Sequence, residues 1–340
     1  MMDQQQWQRG GVLVRLLIVV FFLGVLALLG LFGAAYELDR RATANGPLTE
    51  EKVLWIERGN TVDAVIVKLE DMGAIETPLV FKLKSRLENL APALKAGEYE
   101  IPAHASQADI IALLKEGKPL LRFVTIAEGL TTAQIIQRVD ETPMLVGDVT
   151  LSPAEGDLLP ETYSYQRGDT RDSVIQRMAD AHDRVLDELW PARAEDLPIK
   201  TPEEAVILAS IVEKETGIAE ERPRVASVFV NRLRRGMRLQ SDPTIIYGLT
   251  QGEPLGRGLR VSELRKETPY NTYIIRGLPP TPIANPGEAA LRAVLTPLET
   301  DDLYFVADGT GGHVFAKSLA EHNRNVARWR QIERSRNAAN

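Results

Sequence analysis

The 340-residue chain contains no cysteine, which excludes disulfides, thiolate metal sites and a thiol nucleophile. Histidine is almost as scarce. His104, His182, His313 and His322 are the only four, and none sits in an H-E-x-x-H or similar ligand spacing, which argues against a zinc hydrolase. No G-x-S-x-G elbow occurs, so the nucleophile of an α/β-hydrolase is missing. The glycine-rich segment 309–312 is followed by Ala316, Lys317 and Ser318, without the glycine of a P-loop, and reads as a hairpin turn. The chain carries 40 basic and 47 acidic residues, net −7, with only 6% aromatics. It has no basic patch interleaved with aromatics, and nucleic acid is therefore discounted as a partner. Neither a metal nor any other cofactor is expected.

What stands out first is a long apolar run. Residues 16–36, LLIVVFFLGVLALLGLFGAAY, are uninterrupted by charge, and about 20 such residues span a bilayer. A soluble core helix is rarely apolar on all sides over this length. A cleaved signal peptide is the competing reading, because Gly33, Ala34 and Ala35 resemble a cleavage site. Arg9 and Arg15 precede the run, and Arg40 and Arg41 follow it among Glu37 and Asp39, so the positive-inside signal is weak. The short N-terminal flank and the large remainder favour a cytoplasmic segment 1–15, a membrane helix 16–36 and a body outside the cytoplasm.

The rest of the chain, by length, suggests two or three domains in all. Residues 37–50 read as a linker. Residues 51–120 alternate strand-like and helical patterns: a strand at 53–56, a helix from Thr61, a second helix at 81–90, a strand at 94–101 and a helix from Ser106 stopped by Gly117. A strand at 121–126 and a helix from Thr131 open an intermediate region, 121–199, whose remainder reads as mostly helical and charged. The region 200–335 changes texture, with two helices, then Pro- and Gly-rich loops, then a hairpin-like segment at 303–315. Such loops, rich in Asn, Thr, Tyr and Gln, suit a carbohydrate groove; ordinary connections are the alternative. The expected class is α+β.

The most informative local pattern is at 201–217. Thr201, Pro202 and Glu204 form an N-cap, a Pro at the first helical position and a capping-box Glu, with Gly217 as the stop. At about 100° per residue, Leu208, Ile211 and Val212 share one face with Glu215, while Glu213 falls opposite with Ala209 and Ser210. A carboxyl on an apolar stripe is desolvated, its pKa rises, and it can serve as a general acid near neutral pH. The pattern alone also allows Glu215 simply to reach water at the edge of the core. Asp242 and Glu215 could be paired carboxylates of a conventional glycosidase, but an Asx turn before Pro243 also explains Asp242. His313 could face a groove or simply follow its turn.

Taken in order, several segments together resemble the endolytic murein transglycosylases, the YceG-like family. They are ASIVEKET (209–216), VASVFVNRL (225–233), MRLQSDPTIIY (237–247), YNTY (270–273), GLPP (277–280) and YFVADG (304–309). The resemblance implies an N-terminal inner-membrane anchor, a LysM-like α+β subdomain at 51–120 that includes AGEYEI (96–101), and a mixed α+β catalytic domain at 200–335 in the periplasm. It also implies lytic cleavage of the bond between N-acetylmuramic acid and N-acetylglucosamine with 1,6-anhydro products, and a role in ending nascent glycan strands. Glu215 matches the family's catalytic glutamate; Gln240, Asp242, Tyr247, Asn271 and Tyr273 are candidates for holding the sugars. Peptidoglycan strands and the inner membrane are the implied partners, with peptidoglycan synthases as candidate protein partners. Asp157 stands where an aromatic is expected and Ser241 where Thr is common; neither is expected to touch the acid. A non-enzymatic wall-binding scaffold and a lysozyme-type hydrolase using Asp242 are the rival readings.

Overall fold

A computed structural model describes residues 4–339, with side chains described for 14–336. Residues 1–3, the Arg9 side chain and Asn340 lie outside the described residues. The chain divides into two compact units, residues 1–121 and 122–340.

The first unit opens with helix α1, Gln4–Ala42. Its residues 16–36 are apolar and nearly all exposed, Phe32 to 77%, and the segment is long and apolar enough to cross a membrane. The helix continues into the stretch read from sequence as a linker. There Arg40 Nε and Arg41 Nε donate to Glu37 at 2.8 and 2.7 Å, one helical turn apart, which sustains helical backbone. Ala42 is fully buried.

Strand β1 (Lys52–Ile56) then leads to α2 (Val62–Asp71) and α3 (Pro78–Leu87), and β2 (Gly97–Ile101) returns antiparallel to β1, with Lys52 opposite Ile101 and Ile56 opposite Gly97. Helix α3 starts and ends earlier than its apolar pattern suggests, because Pro78 opens it and Asn89 adopts φ 54° just beyond its end. Helix α4 (Gln107–Glu116) closes the unit between a Ser106/Asp109 capping box and Gly117 in the left-handed region, φ 62°. Leu54, Ile56, Leu69, Phe81, Tyr99 and Leu114 fill the core.

The second unit begins with β3 (Arg122–Thr125) and α5 (Thr132–Asp140). The stretch beyond α5, expected to be mostly helical, is largely irregular up to residue 161. Pro143, Gly147, Pro153, Gly156 and Pro160 interrupt any helix there, and β4 (Thr162–Tyr165) pairs with β3. Only α6 (Arg171–Leu189) is helical in this region. The remainder is built from α7 (Pro202–Glu215), α8 (Arg222–Arg234), α9 (Asp242–Thr250), the short α10 (Val261–Arg265), α11 (Glu288–Leu295), a hairpin of β5 (Tyr304–Ala307) and β6 (His313–Ala316), and α12 (Leu319–Ala339). Helices α7, α8 and α11 pack together around Leu208, Ile211, Val225, Phe229, Leu291 and Val294.

Helix α7 corrects the two-faced wheel. Every residue of its central stretch, including Ala209 and Ser210, is buried. Its "opposite" side is therefore another part of the core, and Ser210 Oγ accepts the Ile283 N–H there at 3.0 Å.

Candidate active site

Glu215 is the last residue of α7, and it opens into a cleft of about 460 Å³. Thr201 fixes the start of that helix, its Oγ1 accepting the Glu204 N–H at 3.2 Å. The Glu204 carboxylate takes the Lys200 N–H instead of closing the box. Thr216, the C-cap, turns extended, φ −146° and ψ 130°, and Gly217 follows it in the position expected of a stop glycine.

The Glu215 carboxyl is held by Ser241. Ser241 Oγ donates to Glu215 Oε1 at 2.5 Å. Ser241 occupies the N-cap position of α9 but makes no capping hydrogen bond; its hydroxyl is committed to the glutamate, where a helix start would ordinarily use it. Its backbone is fixed on both sides, because Ser241 N donates to Thr272 Oγ1 at 2.9 Å and Ser241 O accepts from Thr244 Oγ1 at 2.7 Å. The expectation that Ser241 would not touch the acid is therefore wrong. Its side-chain contact spans 26 positions of sequence, which local patterns do not reveal.

Burial pushes the Glu215 carboxyl above the ordinary glutamate range. The Ser241 hydrogen bond opposes the shift, the Asp242 charge adds to it, and His313 and Arg232 oppose it. The carbonyl end of α7 acts in the same direction as burial, since a helix C-terminus disfavours negative charge. The result is a carboxyl whose Oε1 is occupied and which retains its proton to higher pH than a solvated glutamate.

Of the five sugar-binding candidates, Gln240, Asp242 and Tyr273 share the cleft with Glu215. Gln240 is displayed by a left-handed backbone, φ 52°, pinned by its N–H to Thr272 O at 3.1 Å. Tyr273 donates its hydroxyl to Asp242 Oδ1 at 2.7 Å, and burial raises its phenol pKa so that it remains a donor. Tyr247 and Asn271 lie outside this cleft. Tyr247 is buried against Tyr270, its hydroxyl donating to Glu155 Oε2 at 3.1 Å. Asn271 is fully buried and donates to the carbonyls of Glu263, Leu264 and Lys266 while accepting the Tyr273 N–H at 3.0 Å. Asn271 thus shapes the loop that presents Tyr273. His313 pairs through Nδ1 with Glu221 at 2.7 Å.

Sequence reasoning missed the far wall of the cleft: Arg232, Tyr304 and His322. Arg232 is buried on α8, with Nε donating to Leu303 O at 2.7 Å and Nη1 to Leu239 O at 2.5 Å. Its guanidinium lies 5.2 Å from the Tyr304 ring centre, and Tyr304 stacks on His322 of α12 at 5.1 Å. Burial lowers the His322 pKa and favours the neutral ring. The NRL of 231–233 was visible as a motif, but only the fold brings it to Glu215.

Glu213, read as lying on the other side of the helix, has partners of its own. Its side chain is only 4% exposed, and it meets Arg222 Nη2 at 3.3 Å and accepts the Gly287 N–H at 2.9 Å. A half-buried carboxylate, Glu155, joins the two halves of the unit. It accepts from Thr132 N at 2.8 Å and from Asn285 Nδ2 at 3.1 Å. Among the described residues no cluster of His, Asp or Glu could hold a metal ion.

Residues 54–328 match the model of the YceG-like family. Two similar proteins bear the name endolytic murein transglycosylase. One, from Streptococcus pneumoniae serotype 2, is 32% identical, with 91% of this chain and 64% of the relative covered. The other, from Bacillus subtilis, is 29% identical over 85% of both chains. The chain thus spans a little under two thirds of the pneumococcal relative. The crystal structure of a YceG-like protein from Listeria monocytogenes superposes with a TM-score of 0.50 at 30% identity, covering 81% of this chain and 98% of that one. On the match across most of its length, the chain belongs to the YceG-like family.

Proposed function

We propose that this protein is a membrane-anchored lytic transglycosylase that cleaves glycan strands of peptidoglycan, with Glu215 as its acid–base group. The observation that carries the reading is the Glu215 carboxyl, half-buried, oriented by Ser241 at 2.5 Å and open to a polar, aromatic-walled cleft. The relatives' name, endolytic murein transglycosylase, supports the same substrate.

The chemistry needs one carboxyl. Protonated Glu215 gives its proton to the oxygen that links C1 of N-acetylmuramic acid to N-acetylglucosamine, and the C1–O bond breaks. The C6 hydroxyl of the same muramic acid then bonds to C1, and its proton passes to the Glu215 carboxylate. The site returns to its starting protonation, and the product carries a 1,6-anhydro ring. Because the nucleophile is part of the substrate, effective molarity replaces a positioned water or an enzymic nucleophile. Ser241 stabilises the carboxylate that forms between the two proton transfers. Gln240 and Tyr273 serve as sugar-facing groups, and Asp242, tied to Tyr273, is a positioning residue.

In the first unit, the βααβ order of β1, α2, α3 and β2 supports the LysM-like reading. A groove there is lined by Asn60 and Thr61 before α2 and by Arg86 and Asn89 at the end of α3; its amides and hydroxyl suit a glycan. A periplasmic body held by α1 would place both sites at the wall, where cleavage of nascent strands would end their elongation and bring the protein beside peptidoglycan synthases.

The test is release of soluble fragments from dye-labelled sacculi by the full-length protein in detergent. Release by the wild type and none by Glu215→Gln is expected. Equal release by both, or none by a folded wild type that still binds sacculi, would replace this reading, the latter with a wall-binding scaffold.

A further inference from the structure

Helix α3 carries an apolar stripe that the core does not use. Leu79, Leu83 and Leu87 are 65%, 42% and 74% exposed, whereas Val80 and Phe81 of the same helix are buried. Spaced four residues apart, the three leucines occupy an arc of about 80° on one side. The helix has no acidic residue in its first turn, and its cations are Lys82, Lys84 and Arg86. Leucines flanked by basic side chains are the pattern of helices that lie in a lipid headgroup layer.

The position of α3 within the unit says what meets this stripe. Lys84 Nζ pairs with Asp39 Oδ1 of α1 at 2.7 Å, and α1 and α3 pack together. Asp39 is three residues beyond Tyr36, where the apolar run ends, a distance of about 4.5 Å along the helix. The headgroup region beyond the hydrocarbon core is about 5–7 Å deep on each side. A helix about 10 Å across that leans on Asp39 therefore reaches that layer. On the α3 wheel Leu87 lies about 60° from Lys84, so the stripe begins directly beside the edge held to α1.

We propose that α3 seats the first unit on the membrane, with Leu79, Leu83 and Leu87 inserted at the headgroup–acyl boundary of the leaflet from which α1 emerges. The inference rests on the reading of α1 as a membrane span. Lys82 is tied to Asp63 at 2.8 Å and Lys84 to Asp39, leaving Arg86 as the exposed cation for anionic lipid phosphates. Lys82, Ser85 and Arg86 also line the groove of the first unit, so seating α3 would fix the height of that groove above the bilayer.

The lack of native cysteine makes the test direct. Full-length Leu83→Cys, Leu87→Cys, Val67→Cys and Phe32→Cys variants each receive one environment-sensitive fluorophore, in nanodiscs of phosphatidylethanolamine and phosphatidylglycerol. Val67 is exposed on α2 at 55% and serves as the aqueous reference. Nitroxide lipids labelled near the headgroup should quench Leu83 and Leu87 severalfold more than Val67 and shift their emission to the blue. If Leu83 and Leu87 are no more quenched than Val67 while Phe32 is quenched by nitroxides at the chain end, the seating is wrong and the span stands. An unquenched Phe32 would overturn the span and the seating with it. A blue shift that grows with protein density without nitroxide quenching would assign the stripe to a second copy of the chain and overturn the proposal.

Discussion

Replacing Ser241 by alanine removes a single hydroxyl, the donor to Glu215 Oε1 at 2.5 Å. A hydrogen bond to a charged group contributes about 1.5–3 kcal/mol. The bond is strongest when Glu215 has become a carboxylate, which in the proposed mechanism is when the leaving sugar takes its proton. If that contribution is felt in the transition state, the loss in turnover is roughly one to two orders of magnitude. The pH profile carries a second, independent sign. The hydroxyl favours the ionised form and holds the Glu215 pKa below the level that burial alone would set. Its removal should therefore raise that pKa and move the alkaline limb of activity to higher pH, while the maximum falls. Ser241→Thr keeps the hydroxyl and should restore both the rate and the limb. Initial rates of fragment release across pH measure both quantities, and circular dichroism confirms folding. An alanine variant with wild-type rate and profile, or with its limb moved to lower pH, would refute the reasoning.

Asp242→Asn removes a neighbouring negative charge that pushes the Glu215 pKa up, so its alkaline limb should move to lower pH, opposite to Ser241→Ala. Substantial turnover should remain, whereas a two-carboxylate hydrolase would lose it. Glu215→Gln should cost at least about 10²–10⁴ in rate. The folded state holds the Glu215 proton more tightly than the unfolded chain, so ionisation costs stability as pH rises above the ordinary glutamate range. The glutamine variant should consequently melt higher than wild type at neutral and alkaline pH and lose that advantage in acid, as scanning calorimetry would record. Glu213→Gln keeps an acceptor for the Gly287 N–H and leaves Arg222 its contact with Glu128 at 3.5 Å; its activity loss should fall far short of that of Glu215→Gln. Asn285→Ala strips a fully buried amide that bonds Leu130 O, Thr132 Oγ1, Glu155 Oε1 and Leu158 N. At about 1–3 kcal/mol for stranded partners, denaturant titration should show a lowered midpoint.

The legible parts of this molecule are those written in neighbouring residues. Thr61, Ser106, Thr131 and Thr201 each cap the helix their spacing announces, because an N-cap is satisfied within three residues. The apolar run of α1 is likewise self-contained. The helical wheel singles out Glu215 for a reason that is only partly right. The wheel contrasts an apolar face with an opposite one, yet the central stretch of α7 is buried on all sides, and what distinguishes Glu215 from Glu213 is its partners. Glu215 meets Ser241 at a cleft, whereas Glu213 meets Arg222 and Gly287. These partners, like Arg232, His322 and the Glu155–Asn285 network, come from distant segments, so no local periodicity encodes them. Tyr247 and Asn271 show the converse. Both stand in stretches that read as polar loops in sequence and so look sugar-facing. In the structure Tyr247 sits on α9 with its hydroxyl on Glu155, and Asn271 is buried in its loop, bonded to carbonyls of the chain.

The central claim is that one carboxyl, Glu215, performs both proton transfers while the substrate supplies the nucleophile. Mass spectrometry of the muropeptides released from purified sacculi by the full-length protein tests it most directly. The account predicts fragments ending in 1,6-anhydro-N-acetylmuramic acid, formed without uptake of solvent oxygen in H₂¹⁸O. Reducing ends carrying the heavy oxygen would contradict it, and would transfer the chemistry to a water activated at Asp242.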